Sequence, residues 1–254
     1  MINVLSVKVG TKYNANYVNR LLKMCRRTIT DDFNFYCYTD DPSGIDRDVV
    51  CIDFIDHNIS KPVFNKLYLM SNQLTTQLFH QGDKCIYFDL DVVIKQNIDC
   101  LFDPWLDDLR VIHTSWKDNY HIDVGYPHFI HSINTSCMTW SAFHVNDYWQ
   151  EFIDGKEFFL ELYTGMDQYL YFTKRVRGLL PNKFHSFLYG FSAELKPKYR
   201  DTDTGIFIIR DDDNPLDLFP VCLFNGKTTI DDYMLYYNKY YADSISSTIS
   251  CHIP

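Results

Sequence analysis

Asp89 and Asp91, two aspartates separated by one residue, are the side chains whose type and spacing best suit chemistry in this sequence. They directly follow residues 84–88, a largely apolar run that predicts a buried strand. In an extended chain residues i and i+2 project to the same side, so both carboxylates can face one cation. Oxygen ligands favour Mg²⁺ or Mn²⁺, which are commonly completed by phosphate groups and water. The pair therefore predicts a divalent cation site suited to a nucleoside diphosphate.

The elements that must position this pair alternate between strands and helices. Strands are predicted at residues 2–9, 33–38, 49–54 and 84–88, and later at 110–113, 133–138, 206–209 and 221–224. Helices are predicted at residues 17–25, 64–78, 145–152 and 167–173. Ser60 can cap the second of these helices, and Pro62 can open it. The alternation indicates an α/β fold with a mostly parallel central sheet flanked by helices, in a single domain over residues 1–254.

Composition and charge exclude several classes of protein. A chain of 254 residues can bury a sizeable core without disulfides or a structural metal. Its net charge of −9 and lack of a basic block argue against nucleic acid as a partner. No apolar run reaches the roughly 18 residues of a membrane span, and residues 1–10 lack a signal-peptide pattern. With eight scattered cysteines and no C-x-x-C pair, we expect reduced thiols and a cytoplasmic protein without a transmembrane segment.

Three predicted strands end in polar or flexible residues. Ligands of open α/β sheets bind beyond the carboxyl ends of the strands, so these three ends should converge on one crevice. The ends are Gly10-Thr11-Lys12, Thr39-Asp40-Asp41 and Asp89-Leu90-Asp91.

The segment Ile86-Tyr87-Phe88-Asp89-Leu90-Asp91 resembles the D-x-D segment of GT-A nucleotide-sugar glycosyltransferases. The order of elements over about residues 1–227 is most similar to the glycogenin and galactosyltransferase type, which is family 8-like and includes small viral and bacterial domains. The resemblance implies a metal-dependent hexosyl- or deoxyhexosyltransferase that uses Mn²⁺ or Mg²⁺. Its donor would be a nucleoside diphosphate sugar, UDP rather than GDP, and its acceptor a glycan or other hydroxyl, with retention. A nucleotide-binding half of about 1–100 and an acceptor-binding half of about 101–254 are expected.

The same resemblance assigns roles to individual residues. Near the base and ribose it places Val7, Gly10, Thr11, Tyr13 and Asp40. Around the diphosphate, the metal and the transferred sugar it places Lys66, Asp89, Leu90, Asp91, Asn134 and Lys227. Asp167 and Gln168 resemble the family's Asp-Gln segment beside the anomeric carbon, and they are the candidate catalytic residues. Asn225 stands where the family has a histidine, which makes it the candidate third metal ligand beside Asp89 and Asp91.

Several of these residues have a purely structural alternative. Lys66 can snorkel from the edge of a buried helix face. Asp167 can be a helix N-cap. Asn225 can be a turn residue before Gly226. The aromatic residues Trp116, Tyr120, Tyr126 and Trp149 can line an acceptor groove or pack in the core.

Two other functions are compatible with the sequence. Residues 89–93 also satisfy the D-x-D-x-[TV] nucleophile motif of haloacid-dehalogenase-like phosphatases, in which Asp89 would be phosphorylated. That motif normally follows the first strand of its domain, whereas three predicted strands precede it here. A catalytically silent sugar- or nucleotide-binding module is the third interpretation, and Asn225 is the residue that favours it.

Overall fold

The computed structural model describes residues 1–102, 109–114, 132–145, 147–173, 176–178, 183–186, 199–200, 207–208 and 219–224. These residues form the strands β1 (Ile2–Lys8), β2 (Phe33–Thr39), β3 (Val50–Asp53), β4 (Lys84–Phe88), β5 (Val92–Ile94), β6 (Arg110–His113), β7 (Ile133–Ser141), β8 (Arg177–Gly178), β9 (Phe184–Ser186), β10 (Tyr199–Arg200), β11 (Phe207–Ile208) and β12 (Val221–Leu223). Their helices are α1 (Ala15–Thr28), α2 (Asn72–Leu78), α3 (Asp147–Asp154), α4 (Lys156–Leu162) and α5 (Met166–Thr173), with 3₁₀ segments at Pro62–Met70 and Asp99–Phe102.

The central sheet has seven strands in the order β3-β2-β1-β4-β7-β6-β8. β1 pairs in parallel with β2 and β4, β2 with β3, and β6 with β8. β7 runs antiparallel to both β4 and β6. The predicted α/β fold with a mostly parallel sheet is confirmed. A smaller sheet places β12 between β5 and β9.

Helices cover both faces of the sheet because its strands alternate between two apolar clusters. On β4, Ile86 and Phe88 contribute to the cluster that α1 covers, while Cys85 and Tyr87 contribute to the opposite one. The opposite cluster is covered by the 3₁₀ segment Pro62–Met70 together with α2, α3 and α5. The period of two along a strand therefore sends successive side chains of β4 into different layers.

The prediction of one continuous helix over residues 64–78 is wrong. The chain forms the 3₁₀ segment Pro62–Met70, becomes extended at Ser71 with ψ 145°, and then starts α2. The Ser71 hydroxyl accepts a hydrogen bond from the N–H of Leu74, so Ser71 caps α2, while the residue before the 3₁₀ segment is Lys61 rather than Ser60. All residues from 64 to 70 are buried, so this segment lacks the single apolar face of an amphipathic helix.

The cysteines of the described residues are free thiols, and Cys25, Cys37, Cys85, Cys137 and Cys222 are buried. None of the helices among the described residues has the length and apolar character needed to cross a bilayer.

His185, on β9, is fully buried, and its ring stacks on Phe219 with the centroids 5.5 Å apart. Burial lowers the pKa of His185 from 6.5 to about 3, because desolvation disfavours the imidazolium form. The folded pKa lies below the unfolded one, so unfolding takes up a proton at pH values between the two. Stability is therefore lost as the pH falls below about 6.5.

We expect His185→Gln to remove this pH dependence. The wild-type protein should lose about 2 kcal/mol of unfolding free energy through this one group between pH 6.5 and pH 5. Denaturant unfolding of both proteins at pH 7, 6 and 5 measures the difference, in which the contributions of other groups cancel. A difference in unfolding free energy between the two proteins that stays constant with pH would show that His185 does not cause the pH dependence.

Candidate functional site

The structure brings the three polar strand ends together. After β1 the chain turns at Gly10, whose φ of +76° suits glycine, and the Gly10 N–H donates to the Asp40 carboxylate at 2.8 Å. Tyr13 Oη donates to Asp91 Oδ2 at 2.6 Å. Lys12 Nζ lies 3.8 Å from the same oxygen. The ends of β1, β2 and β4 thus meet at one edge of the sheet, as expected for an open α/β fold.

A cavity of about 360 Å³ opens at this edge. We call it the D-x-D cavity; it is lined by Lys12, Val63, Lys66, Asp89, Asp91, Asn134, Thr135, Ser136, Thr164, Gly165, Met166, Asp167, Gln168 and Phe224. It contains most residues predicted for the diphosphate, the metal and the sugar. The predicted base and ribose residues Val7, Gly10, Thr11, Tyr13 and Asp40 are not part of its lining.

Asp89-Leu90-Asp91 form a turn between β4 and β5, so the extended geometry assumed from the sequence is wrong. Both carboxylates nevertheless line the same cavity. Leu90 is buried in the core, which leaves only its backbone to face a ligand. The turn is held by hydrogen bonds from the N–H of Asp89 to Ser136 O and from the N–H of Phe224 to Asp91 O.

One oxygen of Asp89 is held by two donors. Lys66 Nζ donates to Asp89 Oδ1 at 3.1 Å, and Tyr87 Oη donates to the same oxygen. Among the described residues, no hydrogen bond is made to Asp89 Oδ2. Since carboxylate orientation is fixed by such outer partners, this arrangement leaves one oxygen for a cation.

Asp91 sits in an unfavourable place for a negative charge. Its side chain is 16% exposed, and burial together with the nearby charge of Asp89 raises its pKa to about 6. Burial and the charge of Asp91 raise the pKa of Tyr13, which keeps the phenol protonated as a donor. Two carboxylates forced together in this way are stabilised by a divalent cation.

Lys66 does not snorkel. Its side chain is 8% exposed, and its ammonium points inward, donating to Asp89 Oδ1 and to Thr135 O, both at 3.1 Å. The ammonium also lies 5.0 Å from the centre of the Tyr87 ring. The 3₁₀ segment that buries Lys66 thereby delivers a fixed positive charge to the wall of the cavity.

A bulge in β7 shapes the wall opposite Lys66. Val111 pairs with Met138 but the next residue, Ile112, pairs with Asn134, so residues 135–137 are skipped in the register of β7 with β6. Asn134 Oδ1 accepts from the N–H of Ser136 at 3.0 Å, which stabilises the bulge. Because β7 is antiparallel to β4, this bulge faces the turn at Asp89.

The candidate catalytic residues lie in the first turn of α5. This helix begins at Met166, so Asp167 is not its N-cap. Asp167 Oδ1 instead accepts from the N–H and the hydroxyl of Thr135, at 3.0 and 2.6 Å. Gln168 is buried, and its Oε1 accepts from the N–H and hydroxyl of Thr164, both at 2.8 Å. With the Gln168 oxygen engaged, its amide N–H groups are the part that can donate to a ligand.

Sequence reasoning gave no individual role to four residues of this network, Lys12, Tyr87, Thr135 and Thr164, although Lys12 belongs to a strand end expected at the crevice. A signal existed for Tyr87, which stands two residues before Asp89 and so shares its strand face. Thr135 and Thr164 act through partners distant in the chain, which no local pattern reveals.

Asn225 and Lys227 lie outside the described residues, as do Trp116, Tyr120 and Tyr126. Trp149 packs in the core beside His57 and Tyr68, which is the second of the two alternatives that the sequence leaves open for it.

The carboxylate oxygens at this site fit a hard divalent cation whose remaining coordination positions are filled by a bound ligand. Over the described ranges no three His, Cys, Asp or Glu side chains converge to hold a metal. Asp89 and Asp91 supply two carboxylates, and a cation held by two carboxylates commonly takes its remaining oxygens from substrate phosphates and water.

The structure is similar to that of galactosyltransferase LgtC in complex with donor and acceptor sugar analogs. The two chains are 14% identical, with a TM-score of 0.57 over 97% of this chain and 97% of that one. An active-site mutant of LgtC is also similar, with 14% identity, a TM-score of 0.54, and coverage of 89% and 88%. No protein-family model and no curated protein sequence matches the chain. The similarity shows that the chain has a glycosyltransferase-like GT-A fold, which confirms the fold expected from the D-x-D resemblance.

Proposed function

We propose that this protein is a glycosyltransferase that moves a hexosyl or deoxyhexosyl group from a UDP-sugar to a glycan or other hydroxyl acceptor, with retention. The observation that carries the proposal is the D-x-D cavity. There the turn after β4, the buried ammonium of Lys66 and the first turn of α5 meet at the carboxyl edge of a GT-A fold. Such an arrangement suits a diphosphate with a sugar attached, and we expect it in the cytoplasm.

Asp89 and Asp91 would hold Mn²⁺ or Mg²⁺, with Asn225 as the proposed third protein ligand. The bound cation would neutralise negative charge on the diphosphate as it leaves. Val7, Gly10, Thr11, Tyr13 and Asp40 remain the proposed base and ribose contacts. Their strand ends adjoin the cavity through the contacts of Gly10 with Asp40 and of Tyr13 with Asp91.

The residues of this chain would act mainly by stabilising charge and fixing position. Lys66 and Lys227 would contact the diphosphate, and Asn134 the transferred sugar. As the bond from the anomeric carbon to the diphosphate breaks, its electron pair goes to the leaving phosphate oxygen. The acceptor hydroxyl attacks the anomeric carbon from that same face, and its proton passes to the leaving phosphate oxygen. The N–H groups of Gln168 would orient the sugar, and the carboxylate of Asp167 would stabilise the positive charge that develops on it. Electrostatic stabilisation is the largest type of contribution available to such a site.

A donor screen tests this function. Purified protein is incubated with UDP- and GDP-sugars in Mn²⁺, with and without acceptors, and the release of free nucleoside diphosphate is measured. We expect release of intact UDP that depends on acceptor and stops with EDTA. Phosphoryl transfer to Asp89, trapped as an aspartyl phosphate or blocked by beryllium fluoride, would instead establish the phosphatase alternative. Nucleotide binding without any turnover would establish the silent module.

A further inference from the structure

The D-x-D cavity contains a second lysine that is held very differently from Lys66. Lys12 Nζ lies 3.8 Å from Asp91 Oδ2 and 4.5 Å from the centre of the Tyr13 ring, and its side chain is 67% exposed. The distance to Asp91 is too long for a hydrogen bond. Lys66, in contrast, makes two hydrogen bonds at 3.1 Å and is almost fully buried. The cavity thus has one ammonium group that is fixed in position, on Lys66, and one that is loosely held, on Lys12.

We propose that Lys12 is a diphosphate-binding residue that exchanges partners, pairing with Asp91 in the free protein and with the diphosphate of the donor in the complex. This inference rests on the proposed function and names a residue of its donor site. Lys12 stands on the turn that follows Gly10, at the mouth of the cavity. Its long, flexible stem allows the ammonium to swing between partners a few ångströms apart.

Charge makes this exchange favourable. A divalent cation bound by Asp91 repels the ammonium of Lys12 from its present position, because like charges at such distances repel in a partly buried site. The arriving diphosphate offers the ammonium a new set of negative oxygens. Leaving Asp91 costs little, since Lys12 is largely exposed to water and its ion pair with Asp91 includes no hydrogen bond.

Hydrogen-bonding capacity points to the same role. A lysine ammonium has three N–H donors, and Lys66 commits two of them to Asp89 and Thr135. Within the described ranges Lys12 makes no hydrogen bond, so all three of its donors are available to phosphate oxygens. Lysine binds phosphate as a point charge, which does not require a rigid approach.

The test compares the wild type with Lys12→Gln and with Lys23→Gln, which removes the same charge from an exposed position on α1 outside the cavity lining. Mn²⁺ binding to the nucleotide-free proteins is measured by electron paramagnetic resonance, and UDP binding at saturating Mn²⁺ by calorimetry. We expect Lys12→Gln to bind Mn²⁺ about 3- to 10-fold more tightly, because a competing positive charge is removed from Asp91. It should bind UDP about 5- to 20-fold more weakly, because a charged donor to phosphate is lost. Lys23→Gln should change neither affinity.

The outcomes separate this inference from the proposed function. If wild-type protein binds UDP and Lys12→Gln binds it equally well, Lys12 is not a diphosphate residue while the proposed function stands. If UDP binding weakens but Mn²⁺ binding is unchanged, the exchange of partners is overturned. A wild-type protein that binds no nucleoside diphosphate would overturn both. Thermal unfolding of each variant confirms that it is folded, as expected for a change at an exposed side chain.

Discussion

Asp91→Asn is expected to abolish turnover, with a loss of at least about 10³-fold, while leaving the protein folded. The amide keeps the shape of the side chain and can still accept the hydrogen bond from Tyr13. It loses the charge that, in the proposed function, binds the cation. Donor binding that depends on a divalent cation should be lost together with turnover.

The same variant is expected to be more stable than the wild type in the absence of metal. The folded pKa of Asp91, about 6, lies above its unfolded value of 3.8, so the ionised form is disfavoured in the folded protein. Its charge therefore destabilises the fold at pH 7, and the destabilisation disappears as the pH falls below the unfolded pKa. Removing the charge should raise the unfolding free energy by about 1 to 3 kcal/mol.

Asp99→Asn is the matched control for this experiment. Thr30 and Asn97 donate to the Asp99 carboxylate, and these bonds lower its pKa, although burial acts in the opposite direction. Losing that charge should reduce stability slightly and leave turnover unchanged. Denaturant unfolding and UDP release are measured on both variants. Full activity of Asp91→Asn in excess EDTA would show that Asp91 does not act through a metal.

The parts of the fold that the sequence predicts are those with a regular pattern of burial. α1 buries Val18, Leu21 and Cys25 along one face, and this stripe is visible in the sequence. α4 buries no residue, so it has no stripe to recognise. The segment Pro62–Met70 is buried on every side from Phe64 onward, and its apolar spacing wrongly predicts an uninterrupted helix. Patterns of apolar residues therefore predict an element correctly when one of its faces meets the core. They fail for an element that buries no residue and for one that is buried on every side.

The residues of the candidate site also differ in whether the sequence could predict them. Asp89 and Asp91 could be predicted because two carboxylates directly after a buried strand are costly without a partner. The inward direction of Lys66 could not, because it depends on the bulge of β7 placing Thr135 O beside the ammonium. A shift of register within a strand leaves no mark in composition or period. Its effect is nevertheless to link Lys66, β7 and, through Thr135, Asp167 of α5.

Lys66→Met is expected to reduce both stability and donor affinity. Methionine fills much of the volume of the lysine stem but leaves Asp89 without its ammonium partner. Breaking a fully buried pair costs about 3 to 5 kcal/mol, and the 27% exposure of the Asp89 side chain lowers our expectation to about 2 kcal/mol. Calorimetry should show UDP binding at least about 10-fold weaker, because a fixed charge at the proposed diphosphate site is lost.

Adding Asp89→Asn to this variant separates the two effects. If the stability loss of Lys66→Met comes from an unpaired carboxylate, the double variant Lys66→Met/Asp89→Asn should recover about 1 kcal/mol or more, since no buried charge is left without a partner. Donor affinity should not recover, because the double variant lacks both the ammonium and one of the two carboxylates proposed to bind the metal. Tyr87 still donates to an amide oxygen at position 89 and holds the turn in place. If the stability loss of the double variant equals the sum of the losses from Lys66→Met and Asp89→Asn alone, the two residues are not energetically coupled. Lys66 would then contribute to the fold through packing alone.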